Sequence, residues 1–303
     1  MGRILVIRGG AIGDFILTLP ALRLLREAFP AAQVELIGYR HIAALAEGRY
    51  YAEAVRSIEY GPLAGFFARG GTLDAELCDY FAGFQQVVSY LFDPDGIFEA
   101  NLRRAGVKNY LHAYARIDDS AHAAHQLARP LQRLALYLDE PAAALFPGEA
   151  DREFAAEMLH DESPLALHPG SGGARKNWPL ERWRELIAHL LKRETPPIIV
   201  GGEAEHSTLA QLNAAFPSRL RFARDLPLPQ LAAVLARCPG FIGHDSGISH
   251  IAAAVGTPCV LLFGPTDPQV WAPANPHVRV IAAPEGDLAR VEVEAVAAAV
   301  PRP

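Results

Sequence analysis

Apolar and polar positions along this chain repeat as a short apolar run, a glycine-bearing turn and an amphipathic stretch. The run ILVI (Ile4 to Ile7) leads through RGGAIGD into FILTLPALRLLREAF, where Leu22, Leu25 and Phe29 recur at helical spacing. QVELIG (Gln33 to Gly38) supplies the next strand and HIAALAEG the next helical pattern, so neighbouring parallel strands are joined by a crossover. Pro20 lacks the N–H a helix interior uses and is expected to kink the first helix or end its first segment.

From Gly61 to about Leu138 the rhythm loosens. FFARGGTLDAELCDYFAGF is interrupted by glycines, QQVVSYLF reads as a strand and HAAHQLARPLQRLALYL as a helix. EPAAALFPGE (Glu140 to Glu149) carries two prolines and a glycine, which suits a linker. Alternation then returns. LALH (Leu165 to His168) precedes a helix from Leu180, PIIVGG a helix over about His206 to Phe216, and RLRFA the stretch PLPQLAAVLARC. FIGH precedes GISHIAAAVG, CVLLFG precedes a loop, and LARVEVEAVAAAV forms a last helix. This is a second doubly wound α/β sheet.

Length and composition fit that picture. At 303 residues the chain is long enough for about two domains, each with its own core, and half its residues are hydrophobic. A net charge of −6 argues against a nucleic-acid binder that works by neutralising phosphates. Cys78, Cys238 and Cys259 lie far apart without metal-ligand spacing, which suits a reducing compartment. The N-terminal apolar run is too short for a signal peptide, and none approaches the roughly 20 residues of a membrane span. The expected location is the cytoplasm.

Ligands of such sheets bind beyond the carboxyl ends of the strands. HPGSGGARKNW (His168 to Trp178) follows a strand, and its glycines let N–H groups converge on phosphate oxygens, with Ser171 adding a hydroxyl and Lys176 a charge. After FIGH, Asp245-Ser246-Gly247 opens a helix carrying Ser249 and His250; the free N–H groups of a helix start attract an anion. Asp245 can cap that helix, orient His250 or Lys176, or bind a sugar hydroxyl. His250 can equally be a core histidine. FGPTDPQVWAP (Phe263 to Pro273) leaves a third strand and offers Thr266 and Asp267. In the first half, Asp14 follows RGGAIG at a strand-to-helix turn, where the helix N-terminus stabilises an anion that can accept a proton. By itself, Asp14 reads best as a helix cap. Asp93-Pro94-Asp95 makes an ordinary turn and is discounted as a metal motif.

Together these pieces resemble glycosyltransferase family 9, the heptosyltransferase family of lipopolysaccharide assembly. The resemblance rests on RGGAIGDFILTLPALRLLRE, HPGSGGARKNWPLERW and IGHDSGISHIAAAVGTPCVLLFGPTDPQVW, in that order, while residues 60–135 carry no signature of it. It implies an α/β protein of GT-B fold: two Rossmann-like doubly wound domains facing a central cleft. The N-terminal, acceptor-side domain is expected over 1–145 and the nucleotide-sugar domain over 146–303, with the last helix packing back on the first.

The resemblance further implies inverting transfer without a metal, from a nucleoside-diphosphate sugar such as ADP-heptose to a sugar hydroxyl on a lipid-linked or glycan acceptor. Asp14 is then the expected catalytic base. Ser171, Gly172, Lys176, Asp245, Ser246, Gly247, His250 and Thr266 hold the donor, and Glu203 or Glu205 its ribose. Arg103, Arg104 and Lys108 are candidates for an acceptor's phosphate or carboxylate, with a solvated helix end as the plainer reading. A lipid-linked acceptor would bring peripheral contact with the cytoplasmic membrane face. DSG stands where many relatives have DTG, and serine keeps the hydroxyl.

Three other readings compete. RGGAIGD lacks the GxGxxG spacing, and Glu35 lies inside its strand rather than at its end, both against a nicotinamide-dependent oxidoreductase. A sugar-nucleotide epimerase of the same architecture would use the nucleotide site alone, and a non-catalytic nucleotide-binding protein would not need Asp14.

Overall fold

A computed structural model describes residues 2–160, 162–193 and 197–300. The chain divides into two compact units, Met1–Asp118 with Ala123–Glu140, and Asp119–His122 with Pro141–Pro303. The short segment 119–122 thus joins the second unit, where the His122 ring lies 2.7 Å from the Ala272 carbonyl through Nε2.

In the first unit the strands are β1 (Arg3–Arg8), β2 (Gln33–Gly38), β3 (Ala54–Ser57), β4 (Gln86–Ser89) and β5 (Tyr110–His112). They form one parallel sheet in the order β3-β2-β1-β4-β5. Strand order reverses between β1 and β4, so the crevice for a ligand opens where Arg8 leaves β1. Leu5, Ile7, Phe66, Phe81, Val87 and Leu102 build the core on one face. The first helix runs from Ile12 to Ala28 straight through Pro20. One lost N–H bond does not end it, because Phe15, Ile16, Leu17, Leu19, Ala21, Leu22 and Leu25 are all buried along it. Phe29 lies just beyond the helix and is exposed, unlike Leu22 and Leu25.

Three expected elements come out shorter. HIAALAEG gives helix only at Arg40–Ala43. The stretch over 122–138 splits into Ala123–Ala128 and a 3₁₀ turn Arg129–Leu134, where Pro130 enters. LARVEVEAVAAAV splits into a turn at Leu288–Arg290 and a helix Val293–Ala299.

In the second unit the strands are β6 (Leu165–Leu167), β7 (Pro197–Gly201), β8 (Arg221–Arg224), β9 (Phe241–His244), β10 (Cys259–Phe263) and β11 (Val278–Ala282). The parallel order β11-β10-β9-β6-β7-β8 reverses between β6 and β9. Those two strands lead into HPGSGGARKNW and DSGISH. The last helix packs within this unit: Val293, Val296 and Ala299 join Trp183, Leu186, Ile187 and Leu190 of the helix Leu180–Lys192 in one core. Its small apolar face matches that helix, whose opposite face is polar. Burial of the Cys238 and Cys259 thiols pushes both up to about 12, so neither forms thiolate readily.

Candidate functional site

At the β6–β9 crossing point two loops meet. Lys176 Nζ lies 2.5 Å from Asp245 Oδ2, and the Thr266 hydroxyl donates to the same oxygen at 2.8 Å. Of the roles open to Asp245, the structure shows one: it orients Lys176. The cap of the helix Gly247–Ala254 is Ser246, whose Oγ accepts the Ser249 N–H at 3.3 Å. The N–H groups of Gly247 and Ile248 have no hydrogen-bond partner among the described residues, and both residues, which follow Asp245-Ser246 in the chain, are half-buried. Two open N–H groups, a helix N-terminus and an ammonium together suit a diphosphate.

Behind this cradle lies a layer of buried neutral imidazoles. His168 is 3 % exposed, and burial, with a smaller contribution from His244, pushes its pKa down to about 3. Its Nδ1 is 3.4 Å from Ser246 Oγ, and its Nε2 is 4.0 Å from Glu205 Oε2. His244 is fully buried, and burial holds its pKa at about 4. The Trp178 N–H donates to His244 Nε2 at 2.8 Å, and His244 Nδ1 faces the Gly170 carbonyl at 3.1 Å. A backbone N–H can only donate and a carbonyl only accept, so His244 carries its proton on Nδ1.

The other donor-side candidates separate clearly. Ser171 turns back on its own loop, with Oγ donating to the Gly173 carbonyl at 2.9 Å, and Gly172 is exposed with nothing near its missing side chain. His250 is buried within its helix, 4 % exposed. Glu203 is exposed, whereas Glu205 turns inward and accepts the Gly202 N–H at 2.9 Å. A Cβ on Gly170 would run into the Glu205 side chain, which would have to turn away.

In the first unit Asp14 lies in the first turn of its helix, at the strand-order reversal. Its Oδ2 accepts the Ala11 N–H at 3.0 Å and its Oδ1 stands 3.9 Å from Arg8 Nη2, with the side chain 40 % exposed. Gly10 has φ +97°, and a Cβ there would press on Asp14 Oδ2 at 2.9 Å. Arg8 donates to Thr18 Oγ1 at 2.9 Å and to the Asp14 carbonyl at 3.1 Å. Burial lowers the Arg8 pKa, while Asp14, Tyr90 and Tyr114 raise it back.

Arg103, Arg104 and Lys108 lie elsewhere. They sit at the end of the helix Ile97–Arg104 and in the turn leading into β5, at the amino edge of the sheet and opposite Asp14. A crossover helix runs antiparallel to its strands, so its C-terminus returns to that edge. Arg103 pairs with Glu99 at 2.8 Å, and Arg104 donates to Asn101 Oδ1 at 2.7 Å. Asp93 accepts the Phe98 and Glu99 N–H groups at 3.2 and 3.0 Å, as a capping turn does. Sequence reasoning missed a pocket of about 580 Å³ at the carboxyl end of β5, on Asp14's edge, lined by His112, Tyr114, Arg116, Gln126, Arg129 and Arg133. Among the described residues its three arginines make no ion pair. The signal available was the spacing of Arg129 and Arg133, hidden by Pro130.

The model of glycosyltransferase family 9 (heptosyltransferase) matches residues 101–299, which include both donor-side loops but not Asp14. Lipopolysaccharide heptosyltransferase 1 of Pseudomonas aeruginosa is 29 % identical over 287 residues, 88 % of this chain and 79 % of that protein. A glycosyl transferase family 9 structure from Veillonella parvula superposes with TM-score 0.81 at 20 % identity, covering 98 % of this chain and 95 % of that one. The E. coli heptosyltransferase WaaC with ADP-2-deoxy-2-fluoro heptose does so with TM-score 0.71 at 21 % identity, covering 97 % of both chains. These likenesses show the GT-B fold. With the family model spanning most of the sequence, the chain belongs to glycosyltransferase family 9, the heptosyltransferases.

Proposed function

We propose that the protein transfers heptose from an ADP-linked donor to a hydroxyl of a lipopolysaccharide-core or related glycan acceptor, with inversion at the anomeric carbon and without a metal. The observation that carries this reading is the Lys176–Asp245 contact beside the open N–H groups of Gly247 and Ile248. As the acceptor oxygen bonds to the anomeric carbon, the bond from that carbon to the diphosphate breaks. Lys176 and the helix start meet the charge that appears on the departing ADP. Asp14 takes the acceptor hydroxyl's proton. The adenine assignment draws on the ADP-sugar of the E. coli relative.

On this reading the acceptor's anionic group is held by Arg116, Arg129 and Arg133, not by Arg103, Arg104 and Lys108. A lipid-linked acceptor is met at the cytoplasmic membrane face; no described helix is long and apolar enough to cross a membrane. Arg129→Gln with Arg133→Gln is expected to raise the acceptor KM about tenfold and leave ADP affinity unchanged. Arg103→Gln with Arg104→Gln should move neither. Transfer kinetics with both substrates varied separate these outcomes, and the reverse pattern refutes the pocket assignment.

The donor reading is tested by calorimetry with ADP, GDP, UDP and NAD on the wild-type protein and Lys176→Met. ADP should bind most tightly, and Lys176→Met should weaken it about 10- to 100-fold, as expected for a lost charged hydrogen bond. Tighter binding of NAD, or unchanged ADP affinity in Lys176→Met, overturns it.

A further inference from the structure

The loop from Ser171 to Lys176 has little of its own to hold it in place. Gly172 and Gly173 have nothing within contact distance of a side chain, and the internal order amounts to the Ser171 turn and a 3₁₀ turn at Ala174–Lys176. A glycine-rich segment of this kind loses much chain entropy when it is ordered. Its two ends are nevertheless fixed on a single side chain. The Gly170 carbonyl, where the loop leaves β6, receives the Nδ1 proton of His244, and the Trp178 N–H, where the loop enters its helix, is accepted by Nε2.

The imidazole is itself immobile. It is fully buried, its residue is held in register opposite Leu262 of β10, and the Trp183 ring meets it edge-on at 5.4 Å and 87°. Trp183 also packs on Trp178, whose indole N–H donates to the Val291 carbonyl at 3.0 Å. The residue after His244 is Asp245, which holds Lys176. One strand end therefore fixes both ends of the loop through His244 and its reactive tip through Asp245.

We propose that His244 is a positioning residue of the donor site: by bridging Gly170 and Trp178 it sets the loop that presents Lys176 to the diphosphate, so that the loop's ordering is completed on folding and not on donor binding. This rests on the donor-site reading above. A site ordered in advance binds more tightly because less freedom is lost on association. His244 touches no donor atom in this scheme, and its effect falls on donor affinity ahead of turnover.

Three substitutions dissect the bridge. His244→Phe keeps a ring of similar size and removes both bonds. His244→Asn places an amide near Nδ1 and keeps the Gly170 bond, while His244→Gln reaches the Nε2 position and keeps the Trp178 bond. ADP affinity and donor KM should worsen about tenfold or more in His244→Phe, less in the other two, with kcat moving less than KM. The Trp178 amide should exchange with solvent faster in His244→Phe and His244→Asn than in His244→Gln. Nitrogen NMR of the wild-type ring should show the proton on Nδ1 at neutral pH. A core variant on the neighbouring strand, Leu261→Ala, with a comparable fall in Tm, should keep wild-type ADP affinity.

Folded His244→Phe with wild-type ADP affinity overturns the proposal, as does a ring protonated on Nε2. An equal affinity loss in Leu261→Ala does so too, since it would make the effect one of general stability. If His244→Phe does not fold, Asn and Gln variants that both bind ADP like the wild type refute it. Failure of the wild-type protein to bind ADP overturns the donor reading instead, and Trp178 amide exchange then decides whether the bridge holds the loop.

Discussion

Replacing Asp14 by Asn is expected to lower the rate of sugar transfer about 10²- to 10⁴-fold, the usual contribution of a positioned general base, while ADP affinity stays within about twofold. Asparagine is chosen because its amide oxygen can still accept the Ala11 N–H that Asp14 Oδ2 accepts at 3.0 Å. The helix start and the Gly10 turn then persist, and only proton acceptance is lost. Asp14→Ala removes the capping bond as well and should add a stability loss of about 1 kcal/mol, visible as a lower urea midpoint. Rates are best taken at saturating donor and acceptor, so that binding does not enter. Transfer within tenfold of wild type in Asp14→Asn would refute the base assignment and leave the diphosphate cradle untouched.

Stability should fall steeply between pH 6.5 and pH 5. His168 and His244 are buried and neutral, with pKa values pushed down by burial to about 3 and about 4, against about 6.5 in an unfolded chain. Above pH 6.5 both states are neutral at these positions and neither histidine alters stability with pH. Below it the unfolded chain takes up two protons that the folded protein refuses, so stability declines as pH falls. Each histidine contributes about 1.4 kcal/mol per pH unit, or roughly 4 kcal/mol for the pair by pH 5. The slope flattens only as pH passes the folded values. Urea unfolding at pH 7, 6 and 5 measures this, and His168→Gln should remove about half of the slope. A midpoint that stays level from pH 7 to pH 5 would show that these imidazoles already carry protons in the folded protein.

The parts legible in the sequence are those whose physics is local. β1, its glycine turn and the following helix announce themselves within some 25 residues, and the glycines of HPGSGGARKNW mark a loop before any fold is known. β3, β5 and β11 carry no such local signal; each is an edge strand whose strand character comes from pairing with one neighbour, not from its own pattern. The helix Glu149–Leu159 was hidden by the proline-rich stretch before it. His244 escaped notice for a similar reason. Its partners Gly170 and Trp178 lie 74 and 66 residues away in the chain, and no spacing rule joins them. For Arg103 and Arg104 the limit is similar: a basic cluster looks alike at either edge of a sheet, and only the direction of the helix places it away from Asp14.

The contact between Lys176 and Asp245 also governs how each substrate should respond to salt. Because the ammonium already has a carboxylate 2.5 Å away, the donor cradle presents little unbalanced charge to the solvent and draws its ligand by oriented dipoles at short range. The pocket lined by Arg116, Arg129 and Arg133 sets three guanidinium groups against the one carboxylate of Asp118, a net positive field that reaches about 10 Å at 0.1 M ionic strength and shrinks as ions are added. Raising the ionic strength should therefore release an anionic acceptor well before it loosens the nucleotide, and one protein would hold its two substrates by forces of different range.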